Sequence, residues 1–215
     1  MRVSFLAPCP AFHFADILDL KDVGPEQPST WILRLARIIT EIGLELHIVT
    51  QSDKIRKSQA FRLGGIEYHF LKRPRRFNVH TLFQFDRLRL LKKINEIEPD
   101  IIHAHGTEDA YAYTAVTSNY PCIVSIQGII SYLSQLENAP RRYGLIKYFD
   151  RFTIRKGKFF IAKTPFASQF VKSLNPGATV FDIENPVKTE YFSRAPSFDS
   201  SKILFVGSLT AEKGI

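Results

Sequence analysis

Residues 99–106 read PDIIHAHG, and the fold class follows from how this stretch is parsed. Pro99 closes a segment patterned as a helix, and residues 101–105 form a short apolar strand that Gly106 ends. Side chains alternate across a strand, so Ile101, His103 and His105 share one face and Ile102 and Ala104 the other. Both histidines therefore point the same way, with His105 nearer the strand's carboxyl end. The same grammar recurs on both sides. Runs rich in Ile, Val, Leu and Phe occupy residues 3–6, 44–50, 66–70, 122–126, 159–162 and 180–183. Between them lie helical patterns. Trp31, Leu35, Ile38, Ile39 and Ile42 repeat at helical spacing after Ser29 and Thr30, which are capping candidates, and Gly43 supplies a stop. Phe83, Leu90, Leu91, Ile94 and Ile97 do the same before Pro99. Short strands alternating with helices predict an α/β fold with a doubly wound, mostly parallel, Rossmann-like sheet.

In such a sheet ligands bind outside the carboxyl ends of the strands. That rule selects residues 8–11 and 103–107, Gln127, Gly128, Lys163, Thr164 and Asn185. A His-x-His pair can hold a metal, but no third ligand stands at a suitable spacing, and hydrogen bonding is the expected role. No metal or cofactor is expected. His103 reads as a core histidine with a satisfied ring, and His105 as the functional one. Gln127 and Gly128 lie in SIQGI at residues 125–129. The amide of Gln127 can orient a hydroxyl or phosphate but cannot accept a proton near neutral pH, and Gly128 lets a backbone approach a ligand closely. A strand-end turn without a ligand is the competing reading.

The chain of 215 residues is 45% hydrophobic and 23% charged, ordinary for a soluble globular protein. Pro8 and Pro10 cut the first apolar run too short for a signal peptide, and no run is long enough to span a membrane. Cys9 and Cys122 have no partner spacing and read as reduced thiols in a cytoplasmic protein. The net charge of +8 is uneven. Lys72, Arg73, Arg75 and Arg76 form one group, Arg87, Arg89, Lys92 and Lys93 a second, and Arg141, Arg142, Lys147, Arg151, Arg155, Lys156 and Lys158 a third. Tyr143, Tyr148, Phe149 and Phe152 interleave the third group, a pattern suited to an anionic lipid surface. A solvated helix packing its apolar side on the core explains it equally well. No nucleic-acid motif accompanies the charge, and no nucleic-acid partner is expected.

Residues 202–215, KILFVGSLTAEKGI, read as a strand, a turn and a helix start. Backbone N–H groups at such a junction suit phosphate, and Lys213 in the first helical turn makes sense beside an anion. An exposed lysine on a solvated face is the alternative. VGSLTAEKG resembles the opening of the second domain in glycosyltransferase family 4, the retaining sugar transferases of the GT-B fold. DIIHAH resembles that family's cleft-lining strand. FIAKTPFASQFVK resembles its segment around a cleft-facing hydroxyl, here Thr164, and IENPVKTEYF resembles a further segment, with Pro186 where glycine is usual. Other positions depart from the pattern. Gln127 replaces the histidine of a His-Gly pair, EQPSTW replaces a Gly-Gly loop, and Ser208 stands where a diphosphate-pairing arginine is frequent.

The resemblance implies an acceptor-side domain at residues 1–192, the N-terminal half of a GT-B fold, then a linker at 193–201 and the start of a donor-binding domain at 202–215. It implies a hexosyltransferase that moves a sugar from a nucleotide-sugar donor to a glycan or lipid-linked acceptor. Catalytic contributions are then expected from Gln127 and His105, acceptor contacts from Ser29, Thr30, His103, Gly128, Thr164 and Asn185, and donor phosphate contacts from Gly207, Ser208 and Lys213. The family's two glutamates eight residues apart are absent. Residues 1–215 alone are therefore expected to be inactive without a C-terminal domain or a partner chain that supplies one. A non-catalytic acceptor- or membrane-binding subunit docking on a separate catalytic chain is the alternative. The expected location is cytoplasmic, peripheral on the inner face of the membrane.

Overall fold

In the computed structural model, residues 1–21, 29–74, 81–135, 139, 141, 143–187, 189–193, 201 and 205 are described. Eight strands form one sheet: β1 (Arg2–Leu6), β2 (Glu45–Ser52), β3 (Gln59–Leu63), β4 (Ile66–Lys72), β5 (Ile101–His105), β6 (Cys122–Ser125), β7 (Phe159–Ala162) and β8 (Thr179–Asp182). Their order is β3-β4-β2-β1-β5-β6-β7-β8, and every pairing is parallel except β3 with β4. Strand order reverses at β1. From there β2 and β4 run one way and β5 to β8 the other, which is the doubly wound arrangement predicted.

Helices α1 (Thr30–Glu41), α2 (Gln84–Ile97), α3 (Ala110–Val116), α4 (Ile130–Leu133), α5 (Tyr143–Lys156) and α6 (Pro165–Leu174) complete the layers. Two apolar cores result, one on each face of the sheet. On one face Phe5, Leu46, Ile48 and Phe70 pack with Ile32 and Ala36 of α1. On the other, Leu6, Val49, Ile102, Ala104, Val124 and Phe160 pack with residues of α2, α3, α5 and α6. Ile102 and Ala104 thus belong to the second core and Ile101 to the first, as alternation requires. On the α1 side of β7 and β8, Phe159 stands beside Thr179 and Phe181 beside Ile161, and both phenylalanines stay exposed.

Three features depart from the sequence reading. β3 was not anticipated, although Gly64 and Gly65, at φ +58° and +80°, form the two-residue connection that turns it back onto β4. Its burial pattern shows why: an exposed edge strand needs no apolar run. Ser29 does precede α1, but its backbone lies at φ 41° and its hydroxyl makes no capping bond, while Thr30 is already the first helical residue. Phe83, read as part of α2, is the residue before it, at φ 60°. Gly43 ends α1 as expected, with φ +80°. The linker at 193–201, except its two end residues, and the strand-turn-helix reading of 202–215, except Phe205, lie outside the described residues, as do Gly207, Ser208 and Lys213. Among the described residues no helix is long and apolar enough to cross a membrane.

Candidate functional site

β5 delivers both histidines to the α1 face, where Phe5 of the neighbouring β1 meets each ring edge-on at 5.1 and 5.0 Å. The imidazoles lie 4.0 Å apart. His103 Nε2 is 2.7 Å from Ser125 Oγ on β6, so this nitrogen has the partner that the core reading expects. His105 differs. It is 2% exposed, and neither ring nitrogen has a partner. Burial penalises the imidazolium, holding His103 down to about 4 and His105 well below the ordinary histidine range. Both rings are neutral at physiological pH.

The chain turns at Gly106, whose N–H donates to the Ser125 carbonyl at 2.9 Å and whose φ is +83°. This left-handed turn folds Glu108 back over the glycine. A Cβ at position 106 would lie 2.5 and 2.6 Å from the two Glu108 carboxyl oxygens, so another residue would displace that side chain as well as strain the backbone at this φ. Burial pushes the Glu108 carboxyl up to about 7, opposed by backbone N–H groups of Glu108 and Thr107 and reinforced by the charges of Asp109 and Asp150. Oε2 of Glu108 is buried and unpartnered.

Lys163 follows β7 and reaches across the strand ends. Its Nζ donates to Gln127 Oε1 and sits 5.4 Å from the centre of the Trp31 ring in the first turn of α1. Burial lowers its pKa, and the charge of Glu108 works against that shift. Trp31 Nε1 and the hydroxyl of Ser29, itself 1% exposed, are buried without partners. Buried polar groups are rarely left unpaired. Here Ser29, Trp31, His105 and Glu108 all are, which makes this edge the candidate for ligand binding.

Beneath this edge lies a hydrogen-bonded polar framework. Asp150 on α5 is fully buried and accepts from Thr107 Oγ1 at 2.5 Å, Ser131 Oγ at 3.0 Å and Ser131 N at 3.1 Å. It ties the loop after β5 to α4 and α5. Arg73, after β4, donates to both oxygens of Asp109 at 2.7 and 2.8 Å and to Asp86 at 3.0 Å. Asp109 also caps α3 by accepting from Ala110 N.

The structure thus brings His105, Gln127 and the strand-end Lys163 to one edge and adds two residues that the sequence reading did not place in the site, Glu108 and Trp31. Lys163 stood among the strand-end positions, and Glu108 three residues after His105, so charge near a strand's carboxyl end was the available signal. Gly128 is half-buried, with nothing closer to its missing Cβ than Leu133 Cδ1 at 3.9 Å. Thr164 caps α6 by accepting from Ala167 N at 3.2 Å. Thr30 and Asn185 are exposed. Among the described residues no three His, Cys, Asp or Glu side chains gather as a metal centre would need. A cleft lined by Arg87, Leu91, Asn95, Thr117 and Tyr120 lies along α2 instead, and none of its residues has a buried unpartnered group.

The opposed shifts of Glu108 and the histidines make a prediction about stability. Raising the folded pKa of Glu108 from 4.5 to about 7 gives stability that is present below the lower value and lost as pH rises to the upper. Lowering His103 from 6.5 to about 4 gives stability that is present above 6.5 and lost as pH falls towards 4. The two trends oppose each other across their overlap. Glu108→Gln removes the limb that opposes the histidines, so urea midpoints are expected to fall more steeply than in the wild type as pH drops from 6.5 to 4.5. Parallel profiles would show that Glu108 does not titrate in this range.

A doubly wound sheet with a polar, partly unsatisfied carboxyl edge defines a Rossmann-like ligand-binding architecture. The model of Glycosyltransferase Family 4 matches residues 29–191, and the chain belongs to that family. No curated protein matches it. Solved structures of similar fold include sucrose-phosphate synthase from Thermosynechococcus elongatus, 10% identical with a TM-score of 0.62, which covers 86% of this chain and 48% of that one. A glycosyltransferase from Rickettsia africae is 15% identical with a TM-score of 0.50, covering 89% and 45%. UDP-GlcNAc 2-epimerase from Methanocaldococcus jannaschii is 12% identical with a TM-score of 0.52, covering 86% and 46%. The chain spans about half the length of each of these.

Proposed function

We propose that this chain is the acceptor-side half of a retaining hexosyltransferase that uses a nucleotide sugar and a glycan or lipid-linked acceptor, as in polysaccharide assembly. Family membership supports the transfer chemistry, and the observation that carries the site is the convergence of His105, Gln127, Glu108 and Lys163 at one strand edge. Transfer requires an acceptor hydroxyl held in line with the anomeric carbon and a leaving diphosphate stabilised electrostatically. The neutral imidazole of His105 and the amide of Gln127 supply hydrogen bonds for the hydroxyl. Thr164, Gly128 and the hydroxyls of Ser29 and Thr30 extend that surface, with Asn185 at its margin. The donor diphosphate falls to Gly207, Ser208 and Lys213 and to a donor-binding domain in further sequence or in a partner chain. The nucleotide sugar acts as a substrate, and no metal or cofactor takes part.

The same reading places the protein in the cytoplasm, on the inner face of a membrane. α5 buries Ile146 and Ile154 against the core yet leaves Tyr148 and Phe152 exposed among Lys147, Arg151 and Arg155. On the far side of α3 from it, α2 exposes Phe85 and Leu88 near Arg89 and Lys92. Basic residues interleaved with aromatic ones suit anionic lipid. The exposed Phe159 and Phe181 favour the alternative of a subunit docked on a catalytic chain.

Purified residues 1–215 are expected to turn over no nucleotide sugar, and detectable turnover by that chain would overturn the division of labour proposed. The intact mass of the native protein then separates the readings. A mass near twice an ordinary domain points to a whole transferase, and 24.6 kDa to the docking subunit.

A further inference from the structure

Lys163 links the end of β7 to Gln127 and to the Trp31 ring, yet among the described residues its charge is left without a counter-ion in direct contact. It is a half-buried cation that forms no ion pair among the described residues, and the acceptor it meets there is a neutral amide. An ammonium has three donors, and Gln127 takes one. Around it the surplus is again of donors. Trp31 Nε1 donates only and has no acceptor, and the neutral ring of His105 carries one N–H without an acceptor. The single carboxyl in the group is Glu108, tucked over Gly106 with one oxygen unpartnered. A cluster rich in donors, poor in acceptors and closed to bulk water on its inner side suits an oxyanion.

We propose that Lys163 binds the phosphate oxyanion of a substrate at this edge, with Trp31 and His105 as further donors, and that Glu108 takes up a proton when the anion arrives. The proposal deepens the transferase reading and rests on it only for the word substrate. The linkage follows from charge. An ionised Glu108 compensates Lys163 in the empty site, and an incoming anion replaces it as the counter-charge. Repulsion then drives the buried carboxyl to its neutral form, in which it becomes one more donor. The other charged groups facing Glu108 already have partners, Asp109 in Arg73 and Asp150 in Thr107 and Ser131, and both histidines are neutral. The oxyanion belongs either to a phosphorylated acceptor or to the donor's diphosphate.

Sulfate is the probe, because its charge is constant across the range. It is titrated into the 15N-labelled 215-residue chain at pH 6 and pH 8 while the Gln127 side-chain amide is followed by NMR. Saturable binding about tenfold weaker at pH 8 than at pH 6 is expected from a competent state set by a carboxyl of pKa near 7. Glu108→Gln should bind equally at both values, Lys163→Met should not respond, and Lys163→Arg should keep the response. A pH-independent response in the wild type, or one that survives in Lys163→Met, overturns the proposal. If Lys163→Met fails to fold, the comparison of wild type with Glu108→Gln still decides it. Displacement of sulfate by glucose 6-phosphate assigns the oxyanion to the acceptor, and displacement by uridine diphosphate assigns it to the donor. Displacement by neither overturns the assignment to substrate. None of these readouts needs turnover, so a failure of the transferase reading leaves the anion result intact.

Discussion

Phe5→Ala is expected to lower the free energy of unfolding by about 3–5 kcal/mol, the usual cost of truncating a fully buried phenylalanine. Phe5 is 0% exposed and lies in the core beneath α1. It also supports the edges of both His103 and His105, so the loss is not confined to packing. A cavity lined by two imidazoles is polar enough to admit water. Hydration relieves the burial that keeps the rings neutral, and their pKa values should move up towards 6.5. Urea unfolding measures the first effect and histidine NMR titration the second. A loss below about 1 kcal/mol would mean that the sheet collapses onto the gap. Unchanged histidine titration would mean that the rings are kept dry by other neighbours.

Arg73→Leu should cost a similar amount, about 3–5 kcal/mol, because removing one partner of a buried ion pair strands the other. The Arg73 side chain is 15% exposed and that of Asp86 only 3%. Burial already raises the Asp86 pKa above its ordinary value, and Arg73 is the main group holding it down. Without the guanidinium the carboxyl rises further. An acid with a raised folded pKa loses stability as pH climbs through the range above its unfolded value. The variant should therefore be weakest near neutrality and recover part of its deficit towards pH 4, where Asp86 is protonated. Arg73→Lys keeps the charge but not the fork that spans Asp86 and both oxygens of Asp109, and should fall between. A deficit that does not shrink in acid would locate the damage in packing.

Both variants act on parts that hold the edge in place without lining it. Phe5 sets the depth of the histidines, and Arg73 joins the end of β4 to the start of α3 and to α2. The edge itself is built from groups left short of partners, so its energetic cost is carried by this surrounding framework.

Much was legible in the sequence because it depends on local periodicity. The span of β5, the common face of His103 and His105, the helix that Gly43 ends and the alternation that makes the sheet doubly wound all follow from side-chain spacing within a dozen residues. β3 escaped because an exposed edge strand carries no apolar run, although its two glycines marked the turn. Ser29 misled because residue type suggests a cap, whereas the backbone it adopts, at φ 41°, takes the hydroxyl away from the helix. The working group of the site lay beyond sequence reasoning for a different reason. Trp31, His105, Glu108, Gln127 and Lys163 are scattered over more than half the chain, and they meet only because strands β5, β6 and β7 end side by side. Spacing shows that each lies near a strand end or helix start. Their mutual burial, which neutralises His105, raises Glu108 and leaves Lys163 with an amide for a partner, is a property of the packed sheet, because desolvation depends on what the rest of the chain places around a group.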